Sequence, residues 1–335
     1  MQRSLTVTGE AALREGEERT LSSPQPSRKK RRSVRKEEVC GTVFAAIPLL
    51  GFLLFSAVPV CIAVVTMFCD MNGMNIATLH WNSFANFTKA FTDLPFWKSF
   101  LVSLEMTLSH IVGLVISIII AAVLSQKIKG GKLFTIFFFI PYVCSSAAIS
   151  IMWVQIFKPT GGIINSLLSS LGVADPPDWF RDSKWFPWML VITIAWKAPG
   201  YGILMVQAAL ANVNPALYEA AKLDGASRFR QFMSITFPAI SPTLYFLLSM
   251  GLLNGLQTFD IAQIFAQKTS GYVTGAAGPS DAGLTTVFHI YNTMNNPGAG
   301  GMPVASILSL LLFVAITLVL ALNKKLSKLW VSYDY

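Results

Sequence analysis

The chain has 335 residues, 53% of them hydrophobic and 13% charged, with a net charge of +9. A soluble domain carries about twice that share of charged residues, so the composition excludes an ordinary soluble protein and indicates a membrane protein. The basic excess lies before the first apolar run and in short connections between later runs, which is the pattern that orients spans rather than a nucleic-acid surface.

In chain order, residues 1–38 read as a disordered basic cytoplasmic tail. "TGEAALREGEERTLSSPQPS" is polar and free of aromatics, and "RKKRRSVRK" adds seven basic residues just before the apolar stretch. The run from Val39 to Cys69 is then 31 residues without a charge, longer than the core of a cleavable signal peptide and sufficient to span with tilt or kinks at Pro48 and Pro59. Six apolar segments follow this logic, at about 40–68, 99–125, 133–157, 186–210, 238–266 and 303–323; each exceeds the roughly 20 residues that cross hydrocarbon as a helix. The expected fold is an all-α polytopic membrane protein, with a six-span domain over 39–325 and a short C-terminal tail over 326–335. Lys197 and "APGYG" in the fourth segment predict a kinked or broken helix there. Asn254, Gln257 and Asp260 in the fifth require protein or water beside them.

Charge assigns the sides. Lys127, Lys129 and Lys132, then Arg228 and Arg230, then Lys324, Lys325 and Lys328 fall with the basic tail on one side, and the remaining loops are poor in basic residues. Both termini are therefore expected in the cytoplasm, and the connection at about 211–237 becomes a cytoplasmic loop. Cys40, Cys61, Cys69 and Cys144 show neither a CxxC nor a nearby histidine, so they indicate no zinc site or disulfide framework and read as small apolar fillers.

The loop "NPALYEAAKLDGASRFRQFMSITFPAISP" is the most polar stretch of the second half. Asn214 is placed to cap a helix starting at Pro215, "ALYEAAK" supplies good helix formers, and Gly225 permits a turn. Asp224 and Arg228, four apart, are spaced to pair on a following short helix whose apolar side is Phe229, Phe232 and Met233. Such a segment either rests at the membrane interface or docks on a soluble partner.

The spacing Glu219-Ala220-Ala221, three residues, Gly225, nine residues, Ile235, one residue, Phe237-Pro238 resembles the EAA loop, EAA-x3-G-x9-I-x-L-P, of permease subunits of binding-protein-dependent ABC importers. Phe237 stands where Leu is usual. "LYEAAKLDGASRFRQF" is close to the version in sugar and glycerol-phosphate importers of the maltose/sn-glycerol-3-phosphate type. The segments Asn86 to Thr107, Phe134 to Phe157 and Pro159 to Gly172 resemble parts of the same family. Two departures bear on the solute: Val102 replaces a frequent Asn, and "TGAAGPS" (Thr274 to Ser280) replaces a commoner Gly-Gly-Pro. The tail lies outside the resemblance.

The resemblance implies a type I importer permease fold in a bacterial or archaeal inner membrane. It further implies a second, related permease subunit, two cytoplasmic ATPase subunits carrying ATP and Mg, and an extracytoplasmic solute-binding protein. Glu219, Ala220, Ala221, Asp224, Gly225 and Arg228 would dock on the ATPase. The implied solute is a sugar, with sn-glycerol 3-phosphate or a polyol as the alternative. The sequence itself carries no GxxxxGK[ST] phosphate loop, so this chain is not expected to hydrolyse ATP, to bind a cofactor or to be an enzyme. A solute needs a polar route through hydrocarbon, for which Glu105, His110, Trp153, Trp196, Lys197, Gln257 and Asp260 are the candidates. Each has a duller alternative in packing, pairing or contact with head groups.

Overall fold

The computed structural model describes residues 28–71, 75–126, 129–272 and 277–332. Most of tail 1–38, Lys127 and residues Thr274 to Ala276 of "TGAAGPS" therefore lie outside the described residues, as do the last three residues of the C-terminal tail. Two units are distinguished, one ending at Ile62 and the other Ala63–Tyr335. In the first, a helix begins at Arg28 and runs to Phe52, so the end of the expected disordered tail is already helical. The good helix formers Arg, Lys and Glu lead into the apolar run, and the helix continues through Gly41 and Pro48. One π-helical turn, Leu53–Ala57, precedes Pro59.

The helices long and apolar enough to cross a membrane are Cys40–Thr66, Leu94–Leu124, Phe186–Ala211, Arg228–Thr269 and Gly301–Ser327. Gly131–Val143 and Ser146–Ile156 are bent by 98°, the geometry of a broken span or a re-entrant loop; as a broken span the pair is the third of six in chain order. The second span starts five residues earlier than its apolar run because Asp93 caps it, accepting from the Phe96 amide at 3.2 Å, with Pro95 in the first turn. A two-residue antiparallel ribbon pairs Cys69 with Trp81 and Asp70 with His80, a small departure from a purely helical fold. Of the four cysteines, only Cys69 is buried.

The fourth span divides at Ala198, where "APGYG" placed an interruption, into the helices Phe186–Lys197 and Pro199–Ala211. Ala198 itself keeps helical angles, φ −62° and ψ −35°, so the chain winds on in nearly the same direction. The glycines of "APGYG" also serve close approach. A Cβ on Gly200 would stand 2.6 Å from the Phe138 carbonyl oxygen, and one on Gly202 would stand 2.5 Å from Ser117 Oγ. Ser117 also donates to the Pro199 carbonyl at 3.0 Å. Small residues let helix backbones meet where lipid offers no hydrophobic driving force for association. Sharper interruptions fall elsewhere: Cys144 and Ser145 are extended in the third span, and Gln257 to Phe259 leave the helix in the fifth.

Polar ties between helices add to this packing. Ser103 of the second span meets Thr286, at the start of the short helix Thr286–Met294, at 2.9 Å. Between spans, Gln207 donates to Thr135 at 3.1 Å and Asn323 donates to Ser249 at 2.8 Å; each is worth about 0.6–2 kcal/mol in a membrane. The largest apolar cluster gathers Phe157, Trp179, Phe180 and Phe186 with Met106, Met189 and Phe265. Trp179 is held by its indole N–H donating to Asn165 at 2.6 Å. Asn165 in turn donates to the carbonyls of Pro159 and Pro177, which leaves this buried amide satisfied.

Candidate functional site

Both interruptions open onto one cavity of about 320 Å³. His110 reaches it from the second span, Tyr142 and Ser146 from either side of the bend in the third, and Lys197 from the fourth; Asn254, Gln257 and Asp260 reach it from the break in the fifth. A broken helix brings its own polar ends to such a place, and backbone irregularity at membrane depth is tolerated only beside a polar cavity or protein.

The cavity carries more hydrogen-bonding capacity than the chain uses. The Lys197 ammonium donates to Ser146 Oγ at 2.9 Å, and so ties the fourth span to the first turn beyond the bend. Asp260 lines the same space without forming a salt bridge to Lys197. His110 Nδ1 lies 3.1 Å from the Met106 carbonyl. A carbonyl only accepts, so this nitrogen carries the proton and Nε2 of the neutral ring is an acceptor. The side chains of Tyr142, Asn254, Gln257 and Asp260 make no hydrogen bond to the protein among the described residues. All four are exposed to the open cleft, and a cleft lined by such donors and acceptors can exchange its water for the hydroxyls of a solute.

The structure therefore brings together four of the seven residues expected along a solute route: His110, Lys197, Gln257 and Asp260. Trp153 and Trp196 stand off the cavity and meet each other edge to face, with centroids 5.6 Å apart at 73°. Trp153 also stacks on Phe157 at 5.4 Å and packs on the apolar cluster. Glu105 is exposed on the second span and sits five residues from His110, about 140° around an α-helix. Tyr142, Ser146 and Asn254 were absent from the expected set. The signal for the first two was local: Pro141 followed by "CSS" marks a helix end.

The loop at 211–237 forms two short helices, Pro215–Leu223 and Arg228–Gln231. Asn214 caps the first, accepting from the Ala216 amide at 3.0 Å. Gly225 takes φ +72°, with open space where a Cβ would stand, and the Ala226 amide closes back on the Ala221 carbonyl at 2.9 Å. This left-handed stop is the glycine C-cap arrangement. Ser227 caps the second helix through the Arg230 amide. The expected pair of Asp224 with Arg228 does not form: Asp224 ends one helix and Arg228 begins the next, so helical i, i+4 geometry does not apply to them. Glu219, Ala220, Asp224, Gly225 and Arg228 are exposed and Ala221 is half-buried. Leu223 and Phe229 are 90% and 72% exposed.

Residues 113–328 match the family of binding-protein-dependent transport system inner membrane components. The chain belongs to this family. It is a multi-pass membrane permease subunit of the ABC importer type, built on the type I permease fold. It is 29% identical to the probable ABC transporter permease protein YesP of Bacillus subtilis (strain 168), over 91% of this chain and 96% of that protein. It is 27% identical to the lactose transport system permease protein LacF of Rhizobium radiobacter, over 77% of this chain and 84% of LacF. Among solved structures, it resembles a chain of the bacterial alginate ABC transporter in complex with alginate pentasaccharide-bound periplasmic protein, with a TM-score of 0.73 and 22% identity over 88% of this chain and 96% of that one. That likeness concerns the fold.

Proposed function

We propose that this permease moves a sugar across a bacterial or archaeal cell membrane as half of a gate. It pairs with a second, related permease, receives the solute from an extracytoplasmic binding protein and takes its energy from two ATPase subunits that hold ATP and Mg. Both termini face the cytoplasm, in line with the basic residues of Lys129, Lys132, Arg228, Arg230, Lys324 and Lys325. The 211–237 loop then seats in the ATPase, with Glu219 as a directional anchor, Ala220 and Ala221 allowing close packing and Gly225 setting the turn.

The observation that carries the solute reading is the cavity, with its unpaired amides of Asn254 and Gln257, carboxylate of Asp260 and hydroxyl of Tyr142. These match the alternating donors and acceptors of a polyhydroxylated molecule, and the relative named for lactose transport points the same way. The Lys197 ammonium supports a second reading, in which the solute is an anionic polyol such as sn-glycerol 3-phosphate.

Reconstitution into liposomes with the ATPase, the second permease and the binding protein tests both. ATP-dependent uptake of a neutral disaccharide that survives Lys197→Met supports the first reading. Uptake confined to glycerol phosphate and lost in Lys197→Met supports the second. Uptake of amino acids alone rejects both.

A further inference from the structure

The fifth span is weak where the loop enters it. Phe232–Thr236 is a π-helical turn, closed by the Phe237 amide on the Phe232 carbonyl, and such wide turns recur at functional sites. Pro238 follows directly, and Pro242 comes one turn later. Each removes a backbone N–H, so Pro242 leaves the Pro238 carbonyl without its helical donor.

Side chains repair this joint from two directions. From the loop, the Tyr218 hydroxyl meets Thr236 Oγ1 at 2.8 Å. From the other end of the chain, residues beyond Ser327 turn back on the span. Trp330 packs on Phe237, with ring centroids 6.1 Å apart at 36°, and joins the apolar cluster of Ile203, Val206, Ile240 and Leu244. The Ser332 amide donates to Ser241 Oγ at 2.9 Å, and the same hydroxyl donates to the orphaned Pro238 carbonyl at 2.7 Å. The C-terminal segment is thus bonded through Ser241 into the gap that Pro242 makes.

We propose that Trp330 and its neighbours form a brace that fixes the angle between the 211–237 loop and the fifth span. Trp330 is a positioning residue: with it in place, force on the loop moves the span, and without it the wide turn absorbs the motion. The functional part of this inference rests on the reading that the loop docks on an ATPase; the mechanical part does not. The C-terminal residues had read only as a tail, and an inert tail has no reason to reach a proline-made gap in another span.

The test uses the whole chain with its four cysteines replaced and spin labels at Lys222→Cys on the loop and Phe246→Cys in the span, both exposed positions. Pulsed electron resonance reads the distance distribution between them. Trp330→Ala is expected to broaden it, Ser241→Ala to broaden it less, and Trp330→Phe to restore it. In the reconstituted importer, Trp330→Ala should lower solute moved per ATP hydrolysed by about fivefold, the lower range of an allosteric coupling, with ATPase retention unchanged. An unaltered distribution in both Trp330→Ala and Ser241→Ala overturns the brace, whatever the loop docks on. If Glu219→Lys keeps its ATPase and its transport ratio, the docking reading fails, and the distance measurement still decides the mechanical part. Loss of folding in Trp330→Ala leaves Ser241→Ala and Trp330→Phe to decide it.

Discussion

The loop at 211–237 takes its shape from residues adjacent in the chain, whereas the cavity draws His110, Ser146, Lys197 and Asp260 from four different spans. In the loop, Asn214 caps its own helix two residues on, Gly225 ends it and Ser227 starts the next. In the cavity, Lys197 finds Ser146 across 51 positions of sequence. A local device is fixed by spacing and can be altered one residue at a time. A convergent one depends on where two helices break, and its members are individually ordinary.

That contrast sets the order of expected effects. Glu219→Lys reverses a single exposed charge in the loop; ATPase recovered with the purified permease should fall by more than about tenfold, as when one partner of a desolvated charge contact is lost, with membrane insertion intact. Full recovery would return the loop to an interfacial helix and dissolve the distinction. Gly225→Val tests the backbone rather than the charge. A β-branched residue at φ +72° costs about 1–2 kcal/mol, so ATP-driven uptake should drop about tenfold, while Gly225→Asn, which tolerates this conformation, should retain most of it.

The cavity should respond more gradually, because several groups share the solute. Asn254→Ala and Asp260→Asn are each expected to raise the half-saturating solute concentration by about three- to tenfold, one hydrogen bond's worth of about 0.5–1.5 kcal/mol, and ATPase retention should not change. A total loss of transport from either would place a single indispensable group where a distributed site is proposed. Trp196→Ala should be the mildest, less than about twofold in uptake, since Trp196 touches Trp153 and not the cavity. A larger loss would draw the aromatic pair into the solute route.

Much of the fold was legible in the sequence because long apolar runs and basic connections state a membrane topology directly. The loop's caps and its glycine were legible for the same reason, being short-range stereochemistry. The division of the fourth span at Ala198 lies where "APGYG" put it, but the glycines there also answer to Phe138 and Ser117 on neighbouring helices, which no window of sequence contains. The sharper interruption, at Cys144 and Ser145, follows Pro141 and was readable in principle. Four cavity residues could be named because charge and amide groups are costly at that depth. Tyr142 and Ser146 carry a weaker signal, since hydroxyl side chains are common in membrane helices that simply bond one another, and Asn254 reads as a polar group needing a neighbour without being assigned to the route. Glu105, Trp153 and Trp196 were chosen by residue type, and their place was set by which way each helix face turned.

The 98° bend in the third span has a consequence for how the protein is made. Its halves have 13 and 11 residues, or about 20 and 16 Å of helix at 1.5 Å per residue, against a hydrocarbon core of about 30 Å. Neither half holds itself across a bilayer as it leaves the ribosome. Gly200 of the fourth span supplies the close surface against Phe138, and Lys197 of that span binds the start of the second half. As a broken span, the third is expected to settle only after the fourth has been synthesised, and a bulky substitution at Gly200 should show first as chains trapped at the translocon or degraded by membrane proteases.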